Sequence, residues 1–542
     1  MDEIAKILCL DKIYPGNSYP DYSYEILRRS IDARKKPDIY FVYTLAVLTG
    51  SEDEKKITRY LRTHSKDARV KRSSARILTD PVIEYEIPEN SGDKPCRRPV
   101  IAGSGPAGLF CALALAKRGF APLVIERGQS VDERTKSVER FWKTGELDEH
   151  SNVQFGEGGA GTFSDGKLNT LTKDTNGRNT FVLKTFAKHG AADETVYDAK
   201  PHIGTDVLKS VVKSIRKEIE ALGGTFMFET LIADLGIDDG RITYVTVKDA
   251  DGKAQIIDTD ICILCIGHSA RDTFEMLYEK GVPMTPKSFA VGFRVIHPQS
   301  YVDKWQYGVE KASSAGLAPA DYKVTNETAK GRRVFSFCMC PGGYVVNASS
   351  EDGRLCVNGM SESKRDGEYA NSAIIVAVDP DDFAQKEVAP GHPLTGMYYQ
   401  RNIEKAAFSR GEGRIPAQLF TEFENDTVSS DLKDLTGAVK GGYTHANLRG
   451  IFSGEIDEAV IESMHKFGYT REGFDKEEAV MLGIESRTSS PVRIMRDDSY
   501  ESQIRGLYPC GEGAGYAGGI MSAACDGLKV AESIIKKFHF EG

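Results

Sequence analysis

Three glycines and one acid near residue 100 have the types and spacing needed to hold a diphosphate. The pattern Gly103-x-Gly105-x-x-Gly108 lies between a short apolar run and a stretch rich in Ala and Leu. Gly103 allows a tight turn, Gly105 allows backbone to approach a pyrophosphate, and Gly108 allows a helix to pack against the strand. Glu126 ends the next apolar run, about 20 residues on, where a carboxylate can accept ribose hydroxyls. This strand, turn, helix and strand predict a dinucleotide site.

The neighbours of these residues are expected to contact the same ligand. Ser104, Pro106 and Ala107 belong to the turn and to the start of the predicted helix, whose free N–H groups attract phosphate. Arg127 follows the acid and suggests a 2′-phosphate, which Glu126 would repel.

A second glycine cluster lies downstream, with five glycines among the thirteen residues from Phe155 to Lys167. So many glycines carry an ordering cost that a plain surface loop avoids. A backbone that approaches a flat ligand explains the cluster better than its alternative, a flexible lid. Gly159 would then contact the ligand, and hydrogen-bond donors would come from Thr162, Ser164 and Lys167.

A third cluster, from Gly511 to Gly519, contains another match to the same pattern. Because only one helix, at about 520–538, remains before the chain ends, no second dinucleotide unit can follow it. We therefore predict a return segment, in which a strand at 507–510 rejoins the first unit and the last helix points its N-terminus at the cofactor. The predicted contacts there are Gly511, Glu512, Gly518, Gly519 and Ile520.

Three separate segments that converge on one dinucleotide, with no second unit for NAD, favour FAD as the resident cofactor. The chain resembles the flavoproteins of the glutathione reductase and hydroxybenzoate hydroxylase superfamily, and more closely a bacterial family of uncharacterised FAD-dependent dehydrogenases. The resemblance covers nearly the whole chain and rests on the following strings: Arg34-Lys-Lys36, Asn152 to Lys167, Pro201-His-Ile-Gly-Thr-Asp206, Gly267-His-Ser-Ala-Arg-Asp272, Phe337-Cys-Met-Cys-Pro-Gly-Gly343, Gly483 to Pro491 and Gly511 to Gly519.

The resemblance implies non-covalent FAD, with the Gly103 to Gly108 turn on the pyrophosphate and Glu126 on the adenosine ribose. It further implies Leu231 or Ile232 beside adenine and Gly267 on a strand turn near the cofactor. Glu512 would lie near the ribityl chain or the pyrophosphate, where many relatives have Asp.

Candidate catalytic residues are Lys167, Arg487, Cys338 and Cys340, and Arg294, His268 and Arg271 are further candidates near the cofactor. Arg487 is the best candidate to bind an anionic or carbonyl group. Cys338 and Cys340 lie two apart, on one face of a predicted strand, so both can face a pocket; packing is the favoured alternative to redox chemistry.

The pair Cys262 and Cys265 lies three apart on a buried strand and therefore on opposite faces, which argues against a metal or redox role. No metal site is predicted.

These residues require an α/β fold: a Rossmann-like FAD-binding domain, an inserted β-rich α+β substrate domain and a small N-terminal α/β domain. We predict the boundaries 1–95 for the N-terminal domain, 96–286 and 485–542 for the two parts of the FAD-binding domain, and 287–484 for the insertion. Within the N-terminal domain the patterns predict helices at Tyr24 to Ala33 and Asp53 to Thr63, and strands at Ile39 to Thr49 and Ser73 to Leu78.

The leading functional hypothesis is an FAD-dependent oxidoreductase that transfers hydride to or from an unknown small organic substrate, with NADH or NADPH as a candidate transient electron donor. One alternative is an RNA-associated flavoprotein, because residues 28–76 carry 14 Lys and Arg against 6 Asp and Glu. Another is a flavin-dependent reductase of unsaturated lipid, suggested by fold-level kinship.

The net charge of −9 argues against nucleic-acid binding by the molecule as a whole. Neither a secretory signal nor an apolar run long enough to span a membrane is evident, so the sequence predicts a cytoplasmic protein.

Overall fold

The computed structural model describes residues 3–14, 20–36, 38–64, 66, 83–169, 174–384, 389–428, 432, 434–476 and 479–540. The α-helices, numbered along the chain, are α1 (Glu3–Ile7), α2 (Leu10–Ile13), α3 (Ser51–Thr63), α4 (Pro106–Lys117), α5 (Val131–Thr144), α6 (Arg178–Lys188), α7 (Thr205–Ala221), α8 (Arg271–Glu279), α9 (Gln299–Tyr307), α10 (Thr395–Arg410), α11 (Phe420–Glu424), α12 (Gly454–Gly468) and α13 (Ile520–Lys537).

The strands are β1 (Tyr22–Lys35), β2 (Asp38–Thr49), β3 (Lys94–Cys96), β4 (Val100–Ala102), β5 (Leu123–Ile125), β6 (Thr225–Met227), β7 (Thr230–Asp238), β8 (Arg241–Asp249), β9 (Ala254–Asp258), β10 (Cys262–Leu264), β11 (Met284–Pro286), β12 (Phe289–Pro298), β13 (Thr325–Glu327), β14 (Arg333–Cys340), β15 (Tyr344–Asn347), β16 (Val357–Met360), β17 (Tyr369–Val378), β18 (Ile415–Leu419), β19 (Val439–Lys440), β20 (Tyr443–His445), β21 (Val480–Glu485), β22 (Val492–Ile494), β23 (Leu507–Pro509) and β24 (Phe538–Phe540).

A parallel sheet in the order β23-β10-β4-β5-β6 carries the first glycine motif. Successive residues of its strand β4 pack into different cores, because Ile101 belongs to one apolar cluster while Val100 and Ala102 belong to the other. Both faces of the sheet are therefore covered, as apolar parallel strands require. The predicted α/β fold is confirmed.

Helices α4 and α13 pack side by side against this sheet. Every residue of α4 from Ala107 to Ala116 is buried, which explains why its sequence is apolar on all sides. A Cβ at Gly527 of α13 would lie 2.2 Å from the Ala107 carbonyl oxygen, so this glycine permits the close approach of the two helices. The last helix thus lies directly against the start of the glycine-turn helix.

A second, larger sheet has the order β13-β14-β17-β12-β21-β18-β20. Its neighbouring strands are antiparallel apart from the parallel pair β18 and β20. Strands β12 and β17 are almost wholly buried, because helices cover the sheet and its residues supply the largest apolar core. After β21 the chain returns through β22 and β23 to the parallel sheet.

The N-terminal segment corrects one prediction. Residues 24–33, predicted to be helical, lie in the long strand β1, which pairs in antiparallel fashion with β2 from Tyr22↔Thr49 to Lys35↔Asp38. A partner strand of nearly equal length follows within a few residues, and its ladder of hydrogen bonds overrides the weak local preference for helix. The predicted helix at Asp53 to Thr63 is present as α3, and the predicted strand at Ser73 to Leu78 lies outside the described residues.

Within the described ranges, no helix is both long and apolar enough to cross a membrane.

Candidate functional site

The turn between β4 and α4 is held by close backbone contacts. Gly103 has a φ of +102°, and a Cβ there would lie 2.4 Å from the Cys265 carbonyl oxygen. A Cβ on Gly108 would lie 2.0 Å from the carbonyl oxygen of Gly103. Gly105 differs, because a Cβ there would meet its nearest atom, Cα of Gly159, only at 3.8 Å. The first and last glycines serve the turn itself, while the middle one leaves space beside it.

Both oxygens of the Glu126 carboxylate accept hydrogen bonds from the chain. Oε2 accepts from the amide (2.8 Å) and hydroxyl (2.7 Å) of Ser104, and Oε1 accepts from the amides of Gly128 and Gly156, each at 3.0 Å. An ionised carboxylate has about four acceptor sites, so these contacts fill it. Glu126 therefore ties three loops together, and a ribose hydroxyl would have to share or replace one of these donors.

The loop of the second glycine cluster wraps around a buried arginine that the sequence analysis missed. Arg134 of α5 donates to the carbonyl oxygens of Asn152, Val153, Gly156, Glu157 and Gly159 over distances of 2.8–3.2 Å. Burial lowers the pKa of Arg134 to about 10, although Glu126 and Glu157 oppose that effect. Nothing in the charged sequence of α5 distinguishes this arginine from its exposed neighbours.

One cavity connects the three glycine-rich segments with the large sheet. Of the predicted site residues, the following line it: Gly103, Gly105, Pro106, Ala107, Glu126, Arg127, Gly159, Ser164, Leu231, Ile232, Gly267, Cys338, Arg487, Glu512, Gly518, Gly519 and Ile520. Segments that are far apart in the chain thus contribute to one surface.

Other predicted site residues are not part of this lining: Ser104, Gly108, Thr162, Lys167, Cys340 and Gly511. Thr162 donates its hydroxyl to the Glu157 carbonyl oxygen at 3.3 Å. The Lys167 ammonium lies 3.5 Å from the buried Asp165 carboxylate. The geometry of these two side chains therefore favours structural contacts within the chain over direct contact with a ligand in the cavity.

Arg127 and Phe155 form the wall beside Glu126. The Arg127 guanidinium lies 4.5 Å from the centre of the Phe155 ring and forms an ion pair with Asp272 at 2.6 Å. A stacked and paired guanidinium is held in one position, next to the predicted adenosine end.

A buried histidine nitrogen faces the middle of the cavity. Nδ1 of His268 lies 3.0 Å from Oε1 of Glu512, while Nε2 is buried and has no hydrogen-bond partner among the described residues. Such an unpartnered polar atom costs free energy unless a ligand or a water satisfies it. A Cβ on Gly267, Gly518 or Gly519 would meet nothing within 4 Å, so the chain around this histidine is open towards the cavity.

The far wall of the cavity contains two polar residues that the sequence patterns did not single out, Asn358 of β16 and Glu485 of β21 in the large sheet. The buried Arg294 donates from Nε to Glu485 at 2.9 Å and from Nη2 to the Asn358 side chain at 3.1 Å. Burial raises the pKa of the Glu485 carboxyl, against the lowering effect of Arg294. Glu485 lies in the string from Gly483 to Pro491, which was the available signal.

Arg487 lines the cavity, but most of its donors are engaged. It pairs with both oxygens of the fully buried Glu404 at 3.0 Å and donates to the hydroxyls of Ser269 and Ser350. Arg271 pairs with the same glutamate at 2.8 Å. This geometry favours a structural role for Arg487, and its predicted binding of an anionic substrate group stays a prediction.

The residues present suit FAD. One cavity is lined by a stacked arginine beside Glu126, a glycine turn at a helix N-terminus, an open glycine wall and a histidine whose buried Nε2 has no partner among the described residues. Together with the α/β fold, this set of residues defines an FAD-dependent class of protein.

Comparisons with known proteins support this assignment. The family model described as FAD-dependent protein, C-terminal domain-like, matches residues 288–488, and a domain of unknown function (DUF8436) matches residues 20–48. An uncharacterized protein of Clostridium beijerinckii (strain ATCC 51743 / NCIMB 8052) is 46% identical over 518 residues, which cover 95% of this chain and 92% of that protein. The chain belongs to the family of this protein, and its cofactor is FAD.

Solved structures give distant matches. Quinol fumarate reductase of E. coli aligns over 81% of this chain and 70% of its own, at 12% identity and a TM-score of 0.36. Glycerol-3-phosphate dehydrogenase from Bacillus halodurans, complexed with FAD, aligns over 80% and 63%, at 12% identity and a TM-score of 0.34. Glycine oxidase from Geobacillus kaustophilus aligns over 81% and 95%, at 10% identity and a TM-score of 0.35.

Proposed function

We propose that the protein is an FAD-dependent oxidoreductase that transfers hydride between non-covalent FAD and a small organic substrate. The observation that carries the proposal is the continuity of the cavity. Its lining includes the glycine turn and Glu126, and also Cys338 and Glu485 from the large sheet and Asn358 from β16. Bound FAD would supply two-electron chemistry, while the chain supplies orientation and charge.

Each part of the lining has a role in this proposal. The Gly103 to Gly108 turn and the N-termini of α4 and α13 would hold the diphosphate and the ring end of FAD. His268 would satisfy its free Nε2 by a hydrogen bond to the cofactor. Glu485, whose pKa is raised by burial, would hold or release a substrate proton.

The proposal is tested by anaerobic spectroscopy of the purified, FAD-loaded protein. Substrates from several classes, and NADH and NADPH, are added one at a time while the absorbance of the flavin is followed. Reduction by one of them, with Glu485→Gln lowering the rate and changing its pH profile, would support the proposal. A protein that binds no FAD, or whose FAD exchanges electrons with dithionite but with no organic compound, would contradict it.

A second candidate, an RNA-associated flavoprotein, is favoured by one observation on the hairpin of β1 and β2. Four of its aromatic side chains are widely exposed, next to basic residues of β1: Tyr24 (55%), Tyr40 (62%), Phe41 (47%) and Tyr43 (49%). Exposed aromatics beside cations suit stacking on single-stranded bases. Salt-sensitive RNA binding that disappears when residues 1–95 are deleted would support this candidate, and indifference to salt would contradict it.

A further inference from the structure

The two cysteines of β14 differ from each other in their access to the cavity. Among the cysteines of the described residues, Cys338 is half-buried and lines the cavity, while Cys340 is fully buried and is not part of the lining. The Cys340 thiol donates a hydrogen bond to the Cys338 carbonyl oxygen at 3.2 Å, and the two side chains are close enough for each to shift the pKa of the other. One thiol thus lines the cavity of the predicted cofactor, and the second lies buried close to the first.

The backbone at this point is built in an uncommon way. Cys338 has a φ of +44°, in the left-handed region that non-glycine residues seldom adopt. It lies in a register shift between Phe337 and Cys340, where β14 has one residue more than its partner β17. Such bulges redirect side chains, and a strained non-glycine residue persists only where the surroundings hold it. The bulge therefore determines how the two thiols meet at the cavity wall.

Positive charge lies beside the pair. Nη1 of the fully buried Arg294 donates to the Cys338 carbonyl oxygen at 2.7 Å and lies 3.9 Å from Sγ of Cys340. The hydrogen bond from Cys340 lowers the pKa of the Cys338 thiol to about 5, burial opposes it, and Arg294 and Lys167 lower it further. The Cys338 thiol is therefore more acidic than an ordinary cysteine, which favours the thiolate, the reactive form.

Another pair of contacting thiols in the same cavity provides a contrast. Cys265 and Cys510 both line the cavity, and the interaction with Cys510, together with burial, raises the pKa of the Cys265 thiol well above its usual range. Burial likewise raises the pKa of the Cys510 thiol, although Arg496 opposes it. This pair stays protonated and inert, so contact between thiols does not by itself distinguish the pair of β14.

We propose that Cys338 and Cys340 form a second two-electron redox centre, which exchanges an electron pair with the flavin. The Cys338 thiolate and the Cys340 thiol lose two electrons and one proton and form one S–S bond, and oxidised FAD takes up both electrons and the proton. In the reverse direction reduced FAD opens the disulfide, and Cys338 is the sulfur within its reach. This proposal rests on the proposed function, since it requires bound FAD.

The first test counts electrons in the FAD-loaded full-length protein, oxidised beforehand and titrated anaerobically with dithionite. Wild type is expected to take up four electrons per FAD, and Cys338→Ser and Cys340→Ser two. The matched control is Cys525→Ser, which lies outside the lining, is hydrogen bonded to Asn179, and is expected to keep an uptake of four. Cys340→Ala, checked for bound FAD, separates loss of the thiol from an effect of the new hydroxyl.

The second test follows the sulfurs directly. The tryptic peptide 334–354 contains Cys338 and Cys340 and no other cysteine. After oxidation and an acid quench this peptide should be two hydrogens lighter and resist alkylation, and after reduction it should take up two alkyl groups.

The outcomes separate the two proposals. A wild-type protein that binds FAD, takes up two electrons per FAD and keeps both thiols alkylatable after oxidation overturns the redox centre and leaves the oxidoreductase proposal standing. A protein that binds no FAD overturns the proposed function, whatever the state of peptide 334–354.

Discussion

The reactivity of single side chains in this protein follows from the charges placed around them. Cys338 lines the cavity close to Cys340 and Arg294, and Lys167 and Asp165 act on it at longer range. Asp457, by contrast, is a buried carboxyl whose Oδ1 has no hydrogen-bond partner among the described residues. Neighbouring groups lower the pKa of the Cys338 thiol, whereas burial raises the pKa of the Asp457 carboxyl, so the thiol loses its proton more readily and the acid keeps its proton longer.

We expect Cys338 to react with iodoacetamide at neutral pH far faster than the buried cysteines. Because its pKa is about 5, the rate should be flat from pH 6 to pH 8 and should fall as the pH drops through about 5. Lys167→Met removes one lowering charge and should shift this fall to higher pH. The measurement is mass spectrometry of peptide 334–354, with the exposed Lys200→Met as control; a rate that rises steadily to pH 8 would contradict the prediction.

Asp457→Asn should stabilise the protein at pH 8. Burial raises the pKa of Asp457 to about 6, while the amide of Gly450 lowers it through a hydrogen bond to Oδ2 at 2.8 Å. A carboxyl whose folded pKa lies above its unfolded pKa loses stability as the pH rises from about 4 to about 6.

The expected gain for Asp457→Asn is about 1 to 2 kcal/mol at pH 8 and close to none at pH 4, measured by urea unfolding. A gain of equal size at both pH values would show that the charge is not its cause.

At the scale of elements, the glycines of the turn between β4 and α4 have different roles, one in folding and another in binding. Gly108 is required by the chain, since its Cβ would lie 2.0 Å from a carbonyl oxygen, while Gly105 leaves room beside the turn. Glycines in and before helix α13 divide in a similar way. Gly527 allows the helix to pack against α4, while Gly518 and Gly519, just before the helix, line the cavity.

Gly108→Ala should destabilise the protein by about 1–3 kcal/mol, because the extra methyl group forces the turn and the helix apart. Gly105→Ala should keep the stability of the FAD-free protein and weaken FAD binding at least about tenfold, a loss of about 1.4 kcal/mol. Thermal unfolding and FAD titration measure the two effects. Gly454→Ala, whose Cβ would meet nothing within 4 Å, is the control; equal FAD affinity in Gly105→Ala and wild type would contradict the role of Gly105.

At the scale of the whole molecule, a buried ion cluster connects three distant parts of the chain. Glu404 of α10 pairs with Arg271, at the start of α8, and with Arg487, just after β21. All three side chains are almost completely buried. The cluster therefore holds the large sheet, its helix and the segment after β10 in one arrangement around the cavity.

Glu404→Gln should cost about 3–5 kcal/mol of unfolding free energy, because it removes the carboxylate that two buried guanidinium groups share. Arg487 then loses its ion-pair partner, while Arg271 keeps its ion pair with Glu351. Glu310→Gln, which removes half of the exposed Lys304–Glu310 pair, should change stability by no more than about 0.5 kcal/mol. Chemical denaturation measures both variants, and similar values for the two would contradict the cluster's role.

Local rules were enough for the glycine turn and the elements around it. Gly103 to Gly108, α4 and β5 are close in the chain, so the spacing of residues dictates their geometry. The helix predicted at residues 24–33 was wrong, because these residues form strand β1 by pairing with β2, and local sequence preferences do not reveal that partner. Arg134 and Glu404 carried no local signal, because both act on groups that chain folding brings to them.

The sequence by itself determined the α/β fold, the FAD cofactor and the glycine-rich segments that line one cavity, because glycine spacing and apolar runs impose local geometry that does not depend on distant parts of the chain. Only the tertiary structure decided which predicted residues are free to act. In the folded chain Arg487 is paired with Glu404, and the acceptor sites of Glu126 are filled by donors of the chain. Cys338 lines the cavity, whereas Cys340 does not. The physical reason is that charge pairing, hydrogen bonding and burial depend on groups far apart in the chain, which meet only once the chain has folded.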